Sequence, residues 1–250
     1  MIAVATPTVH LETVDSTSLH ARRVIATGPL ESPLLIFADT QSGGLGRQGR
    51  VWSSPHGGLW CTLIWPGPPA HETPALEGLG VRIGLACLRT IDAVVASHGN
   101  VQLKWPNDVL LNDRKVLGVL TEAVREQRGS TVLVGVGINA NFMPDALPPE
   151  IRGRATTLQA ALGAPIDLDM LRQRLIANLI AALRGDPPTV QACLELAPRL
   201  HALDEQINAA GPAGSRVSGR LVGLAPDGRA IIDTSQGRVL VASPIADGPE

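Results

Sequence analysis

The sequence predicts a mixed α/β (α+β) chain that ends in a small β-rich module. Three observations carry this. Short apolar runs alternate with helical stretches between residues 16 and 141, residues 155–202 are mostly helical, and short β runs take over from about residue 204. Residues 16–27 read as a helix that Ser16 or Asp15 caps and Gly28-Pro29 ends. PLLIFAD (33–39) is a buried strand, and residues 40–58 are a long polar, glycine-rich loop without periodicity. LWCTLIW (59–65) is a strand and residues 74–98 an amphipathic helix. Residues 101–124 read as a strand, a break at Pro106, a short strand, a tight turn at Asn112-Asp113 and a long strand. TVLVGVGINAN (131–141) is another strand; residues 155–162, 167–184 and roughly 189–202 are helical. The tail has turns at Pro226-Asp227-Gly228 and Ser235-Gln236-Gly237 and is too short to be stable alone. The domains are therefore 1–203 and 204–250.

Composition excludes several classes of function. Hydrophobic residues make up 44% and charged residues 18%, which suits a packed core and not a disordered chain. A net charge of −2 gives no broad basic surface for nucleic acid. Cys61, Cys87 and Cys193 are scattered, with no C-x-x-C pair, as free thiols in a reducing cytosol would be. No signal peptide and no apolar stretch of ~18 residues is present, so the expected setting is cytoplasmic and off the membrane. The six histidines lack H-x-x-x-H spacing, so no residue is assigned as a metal ligand, although a loosely held Mg²⁺ stays open.

Gly44-Leu45-Gly46-Arg47-Gln48-Gly49 fits G-x-G-x-x-G. A dinucleotide fingerprint would need a helix to start there and an acid about 20 positions on. VWSSPHGG follows instead, and residues 60–69 contain no acid. A P-loop would need Lys-Ser/Thr where Arg50-Val51 stands. Both readings are disfavoured. What the segment offers is Arg47 and Arg50 on a glycine-rich backbone that can wrap a phosphate, or else a solvated surface loop. In 131–141, Gly135, Gly137 and Asn139 share one face, a flat strip for a ligand or for close packing. Lys115 opens an apolar strand, as an edge gatekeeper or as a cation serving chemistry, with Asp108 across the Asn112-Asp113 turn.

These pieces occur together and in one order: Asp15-Ser16-Thr17-Ser18, then Gln41 and GGLGRQGRVW, then LKWPNDVLLNDRKVLGVL, then GVGINAN. The combination resembles the catalytic domain of the biotin–protein ligase (biotin–[acetyl-CoA-carboxylase] ligase) family, over roughly residues 10–141. The resemblance implies a mixed-sheet catalytic domain like that of class II aminoacyl-tRNA synthetases, followed by a C-terminal SH3-like barrel. It implies that Ser16, Thr17 and Gln41 bond the ureido head of biotin, and that Ser18 stands where the family more often has Asn. Gly46 and Arg47 would lie in a loop closing on biotin and the adenylate phosphate. Lys115 would contact the biotin carboxylate and the α-phosphate, while Gly118, Gly135 and Gly137 would wall the pocket. Arg50, Trp52, Asn107 and Asn139 would serve the adenylate, with Trp52 near adenine. Asp108 would join Lys115 and Arg47 as a catalytic group, positioning the adenylate, Lys115 or Mg²⁺. Leu45, also in the biotin loop, stands where the family commonly has Arg or Lys.

The implied reaction is ATP-dependent formation of biotinyl-5′-AMP with release of pyrophosphate, then transfer of biotin to a lysine. The implied partners are biotin, ATP, Mg²⁺ and a biotin carboxyl carrier protein of a carboxylase, with a homodimer left open. The ligase motif starts at Asp15, which leaves no room for the helix-turn-helix domain of the family's two-domain regulators; a single-function form without DNA binding is expected. A lipoate–protein ligase and a non-catalytic biotin-binding protein are the alternatives.

Overall fold

The structure, a computed structural model, describes residues 6–66, 78–96, 98–126, 129–211 and 215–244. The chain forms two compact units, Met1–Thr73 with Val116–Arg172 and Pro74–Lys115 with Gln173–Glu250.

The first unit is built on a mixed sheet. Strand β1 (Thr8–Val14) runs parallel to β2 (Leu34–Leu45); β4 (Leu59–Pro66), β8 (Gly129–Ile138) and β7 (Arg114–Glu126) continue it antiparallel, in the order β1-β2-β4-β8-β7. Helix α1 (Thr17–Ala26) crosses between the parallel strands. Its cap is Ser16, whose extended backbone lets Oγ accept from Leu19 N at 3.5 Å; Asp15 instead accepts from Ser16 N at 2.7 Å. Ala21 of α1 packs on Ile36, Ile64 and Leu133 from three strands, all essentially solvent-free. Burying each of these large aliphatics contributes about 1.5–3 kcal/mol. Register aligns Ile36 with Thr62 and Thr62 with Gly135, then Ala38 with Trp60, Trp60 with Gly137 and Gly137 with Gly118. One sheet face therefore carries Gly118, Gly135 and Gly137 together, because side chains alternate along each strand.

In the second unit, α2 (Leu79–Val95) supports a short hairpin of β5 (Val101–Lys104) and β6 (Asp108–Leu111). Arg82 is 5% exposed and cross-ties helices: Nε donates to Ala182 O at 2.9 Å and one Nη to Thr189 Oγ1 at 2.6 Å. It thereby joins α2 to α5 (Leu168–Leu183) and α6 (Thr189–Leu196), which follow α3 (Pro149–Arg152) and α4 (Leu158–Leu162) along the chain. After α6 the chain runs beside β5, with Leu200 bridging Leu103 and His201 N donating to Leu103 O at 2.9 Å. An antiparallel sheet follows in the order β12-β11-β10-β9-β13, from β9 (Gln206–Ala210), β10 (Arg216–Leu224), β11 (Ala230–Thr234), β12 (Gly237–Val241) and β13 (Ser243–Pro244).

Several sequence expectations need correction. The loop over 40–58 is mostly a hairpin: β2 runs on to Leu45, a 3-10 turn spans Arg47–Gly49, and β3 (Val51–Ser54) pairs back on β2. Strand pairing uses the backbone, which glycines supply as well as any residue, so an absent side-chain period concealed it. The helix expected over 74–98 is Leu79–Val95, with residues 74–77 and 97 outside the described residues. The strand expected to reach 141 ends at Ile138, and Asn139, just past it, still donates from its backbone N to Val116 O of β7 at 2.9 Å. The helix expected from 155 starts at Leu158, capped by Thr157. That over 189–202 is α6 to Leu196 and a 3-10 turn. The C-terminal barrel is, among the described residues, an open sheet, with β12 and β13 at its two edges.

Candidate active site

In the first unit, the start of α1 faces the β2–β3 hairpin through neutral polar groups. Thr17 donates to Gln41 Oε1 twice, from N at 2.8 Å and from Oγ1 at 3.1 Å. Gln41 Nε2 donates to Ser54 Oγ at 2.7 Å. Thr62 Oγ1 donates to Thr17 Oγ1 at 3.0 Å and lies 3.1 Å from Ser18 Oγ. Ser16, Thr17, Ser18, Ser54 and Thr62 are all buried. Hydroxyls and one amide thus meet with no charge among them, and each hydroxyl oxygen keeps acceptor capacity. Sequence reasoning found Ser16, Thr17, Ser18 and Gln41 but missed Ser54 and Thr62. The available signal for Thr62 was one hydroxyl inside the apolar run LWCTLIW.

Two of the glycines on the sheet face make room for different neighbours. A Cβ on Gly135 would stand 2.8 Å from Ser18 Oγ, and one on Gly137 would stand 2.5 Å from Trp52 Nε1. The strip is therefore seated by the protein's own Ser18 and Trp52. The Trp52 indole also meets Trp60 edge-on, with centroids 6.4 Å apart, and Trp60 packs on Phe142 at 6.2 Å. Gly44 is required where the β2–β3 register shifts, because a Cβ there would be 2.5 Å from Trp52 O. At the hairpin end Gly46 N donates to Arg50 O at 2.7 Å, closing the turn that carries Arg47, half-buried, and Arg50, exposed. Leu45 is half-buried and pairs through its backbone with Val51. Asn139 lies past the end of β8, 3% exposed; its amide donates to Thr156 O at 3.1 Å.

The second unit holds a partly buried ion pair. Trp105, Pro106 and Asn107 turn the β5–β6 hairpin, so that Asp108 pairs in register with Lys104. Asn112 and Asp113, at φ 50° and 62°, make the two-residue turn into β7, as their short polar side chains allow. That turn returns Lys115 to Asp108, Nζ to Oδ2 at 2.7 Å. Their side chains are 32% and 16% exposed, so the pair is half-desolvated. The other carboxylate oxygen, Oδ1, is buried and accepts no hydrogen bond among the described residues. The juxtaposition expected from sequence is present. Among the described residues no three His, Cys, Asp or Glu side chains gather as a metal cluster, and no helix is long and apolar enough to cross a membrane.

Comparison with known proteins follows the same segments. Residues 11–139 match the profile of the Biotin/lipoate A/B protein ligase family. A Bifunctional ligase/repressor BirA of Bacillus subtilis is 39% identical over 137 residues, 53% of this chain and 40% of that protein. A Biotin--[acetyl-CoA-carboxylase] ligase of Mycobacterium tuberculosis is 27% identical over 224 residues, 87% of this chain and 79% of that protein. The chain spans about half the length of the bifunctional relatives it matches. Among solved structures, the biotin protein ligase of Aquifex aeolicus in complex with biotin and ATP superposes with a TM-score of 0.78 at 27% identity, covering 95% of this chain and 96% of that one. With its profile covering just over half of the 250 residues, this chain belongs to the biotin/lipoate A/B protein ligase family.

Proposed function

We propose that the chain is a biotin–protein ligase that activates biotin with ATP and transfers it to a lysine of a biotin carboxyl carrier protein. The observation that carries this reading is the uncharged cluster around Thr17 and Gln41, which offers donors and acceptors to a neutral ureido ring. The Aquifex aeolicus relative, solved with biotin and ATP, supports both substrates. In this reading Ser16, Thr17, Ser18 and Gln41 hold the biotin head, with Leu45, Gly46, Gly118, Gly135 and Gly137 around it. Arg47, Arg50, Trp52, Asn107, Lys115 and Asn139 serve the adenylate.

In the first step a biotin carboxylate oxygen attacks the α-phosphorus of ATP. The bond to the β-phosphate breaks and pyrophosphate leaves. Two anions meet, and Lys115 and Arg47 offset their repulsion. In the second step the neutral amine of the acceptor lysine attacks the acyl carbon; the acyl C–O bond breaks, AMP leaves, and the amine gives up a proton. Asp108 orients that amine or takes its proton. The mixed anhydride hydrolyses readily, so the β2–β3 hairpin serves to exclude water. Asp108 Oδ1, buried and without a hydrogen-bond partner among the described residues, fits a Mg²⁺, which Asp108 and Asn107 would hold. When bound, Mg²⁺ supplies neutralisation of phosphate charge. Residues 1–203 are proposed as the catalytic domain and 204–250 as an accessory module. Three buried free thiols suit a reducing cytoplasm.

The deciding experiment incubates the full chain with labelled biotin, ATP, Mg²⁺ and a carboxyl carrier domain. Covalent label on the carrier and biotin-dependent pyrophosphate release are expected. Pyrophosphate release with lipoate and not with biotin would reassign the substrate, and biotin binding without any release would make the chain a binder.

A further inference from the structure

The β5–β6 turn has a partner far along the chain. Trp105, 7% exposed, donates from Nε1 to Gly228 O at 3.0 Å. Gly228 belongs to the turn between β10 and β11, and that turn is braced from several sides. Ala225 N donates to Arg229 O at 2.8 Å, and Gly228 N to Ala225 O at 2.9 Å. Asp227 accepts from Arg229 N at 3.0 Å and from its Nε at 2.8 Å. Cys193 Sγ of α6 donates to Ala225 O at 3.6 Å. At the start of α2, a Cβ on Gly78 would overlap Pro226 O and Thr189, so the turn is packed against helices as well. Gly228 itself sits at φ 91°, which aims its carbonyl in a way that other residues adopt only with strain.

We propose that the Ala225–Arg229 turn is a positioning element for the Asp108–Lys115 pair, acting through the Trp105 indole. Trp105 and Asp108 are the two ends of a turn whose middle is only Pro106 and Asn107. Fixing the indole fixes the backbone that delivers Asp108 to within 2.7 Å of Lys115. Without that anchor the turn between β5 and β6 loosens, and the Asp108 carboxylate, only 16% exposed, swings toward water. The tail sheet then acts on adenylate formation without itself touching substrate. For its catalytic consequence the proposal rests on the ligase reading.

The test uses the full chain with Trp105→Phe, which keeps a ring and removes the donor, and Gly228→Ala, which strains the acceptor turn. Only two lysines occur, Lys104 and Lys115, so the side-chain ammonium signals of ¹⁵N-lysine protein can be assigned between two residues. Each variant is expected to lower the kcat of biotin-dependent pyrophosphate release about tenfold, the loss of roughly one hydrogen bond. KM for biotin stays unchanged, and the Lys115 ammonium signal loses its protection from solvent. The double variant is expected to be no worse than the worse single one. Effects that multiply, or a Lys115 signal unmoved in both variants, would overturn the proposal. So would a kcat that falls only in step with the folded fraction. If Trp105→Phe fails to fold, Gly228→Ala reads the same contact from the other side. A wild type that releases no pyrophosphate sinks the ligase reading, while the ammonium signal still decides the positioning one.

Discussion

The Thr17–Gln41 cluster and the Asp108–Lys115 hairpin solve opposite problems. The first gathers hydroxyls and an amide, nearly all buried, and bonds them to one another. Neutral groups can be taken out of water cheaply when each finds a partner. The second keeps an ion pair only partly in water, with side chains 32% and 16% exposed, so some of the solvation of the two charges is retained. The difference teaches a division of labour: recognition of an uncharged ring can be preorganised deep in the fold, whereas charge needed for chemistry is kept where solvent still supports it. In the proposed ligase, substitutions in the cluster should move biotin affinity, and substitutions in the hairpin should move the rate of adenylate formation.

The largest expected effect tests the charged side. In the proposed reaction Lys115→Ala would remove contacts to carboxylate and α-phosphate worth roughly 1.5–3 kcal/mol each. Adenylate formation should fall about a hundredfold or more with the fold intact, read by pyrophosphate release and circular dichroism. Unchanged release would end the assignment of Lys115.

Gly137→Ala tests the seat of the hairpin. The new methyl overlaps the Trp52 indole, so Trp52 must shift. Overpacking of this kind costs about 1–3 kcal/mol. Escape of biotinyl-AMP should speed up roughly tenfold. A dissociation rate equal to wild type would show that the indole does not secure the closed hairpin.

Thr17→Val tests the neutral side. It removes the hydroxyl between Gln41 and Thr62 and leaves buried partners short of a bond, at about 1–2 kcal/mol. Biotin should bind roughly tenfold more weakly by calorimetry, with kcat at saturating biotin preserved. A loss of kcat alone would erase the contrast between the two regions.

The smallest effect lies at the rim of the cluster. The Arg23 hydrogen bonds to Asp15, followed by the Ser16 N–H, hold the Asp15 carboxyl well below its ordinary value of 3.8. Its folded-state affinity for protons is depressed, so its stabilisation is present above that value and is lost as pH falls below it. The pair is exposed, so the gain is small. Asp15→Asn should lower Tm slightly at neutral pH and flatten the acid limb of Tm below about pH 4, since the mutant has no carboxyl to titrate there. Identical acid limbs for both proteins would show that this carboxyl carries no stability.

Local patterns in the sequence determined a good deal. Short apolar runs marked β2, β4 and β8, a cap at Ser16 or Asp15 marked the start of α1, and Asn112-Asp113 marked the turn that returns Lys115 to Asp108. Each of these signals is carried by neighbours within a few residues, through local apolar composition, capping or turn chemistry. The combination of motifs also pointed to the family. Tertiary structure decided what depends on distant partners. Backbone pairing made a hairpin of residues that show no period, and packing placed Thr62 and Ser54 in the polar cluster. The seating of Trp52 on Gly137 and the hydrogen bond from Trp105 to Gly228 were equally invisible, because a pairing across 85 or 123 positions leaves no local trace in residue order. Such contacts exist only once the sheet register and the helix packing have been set, and a single sequence does not print that register.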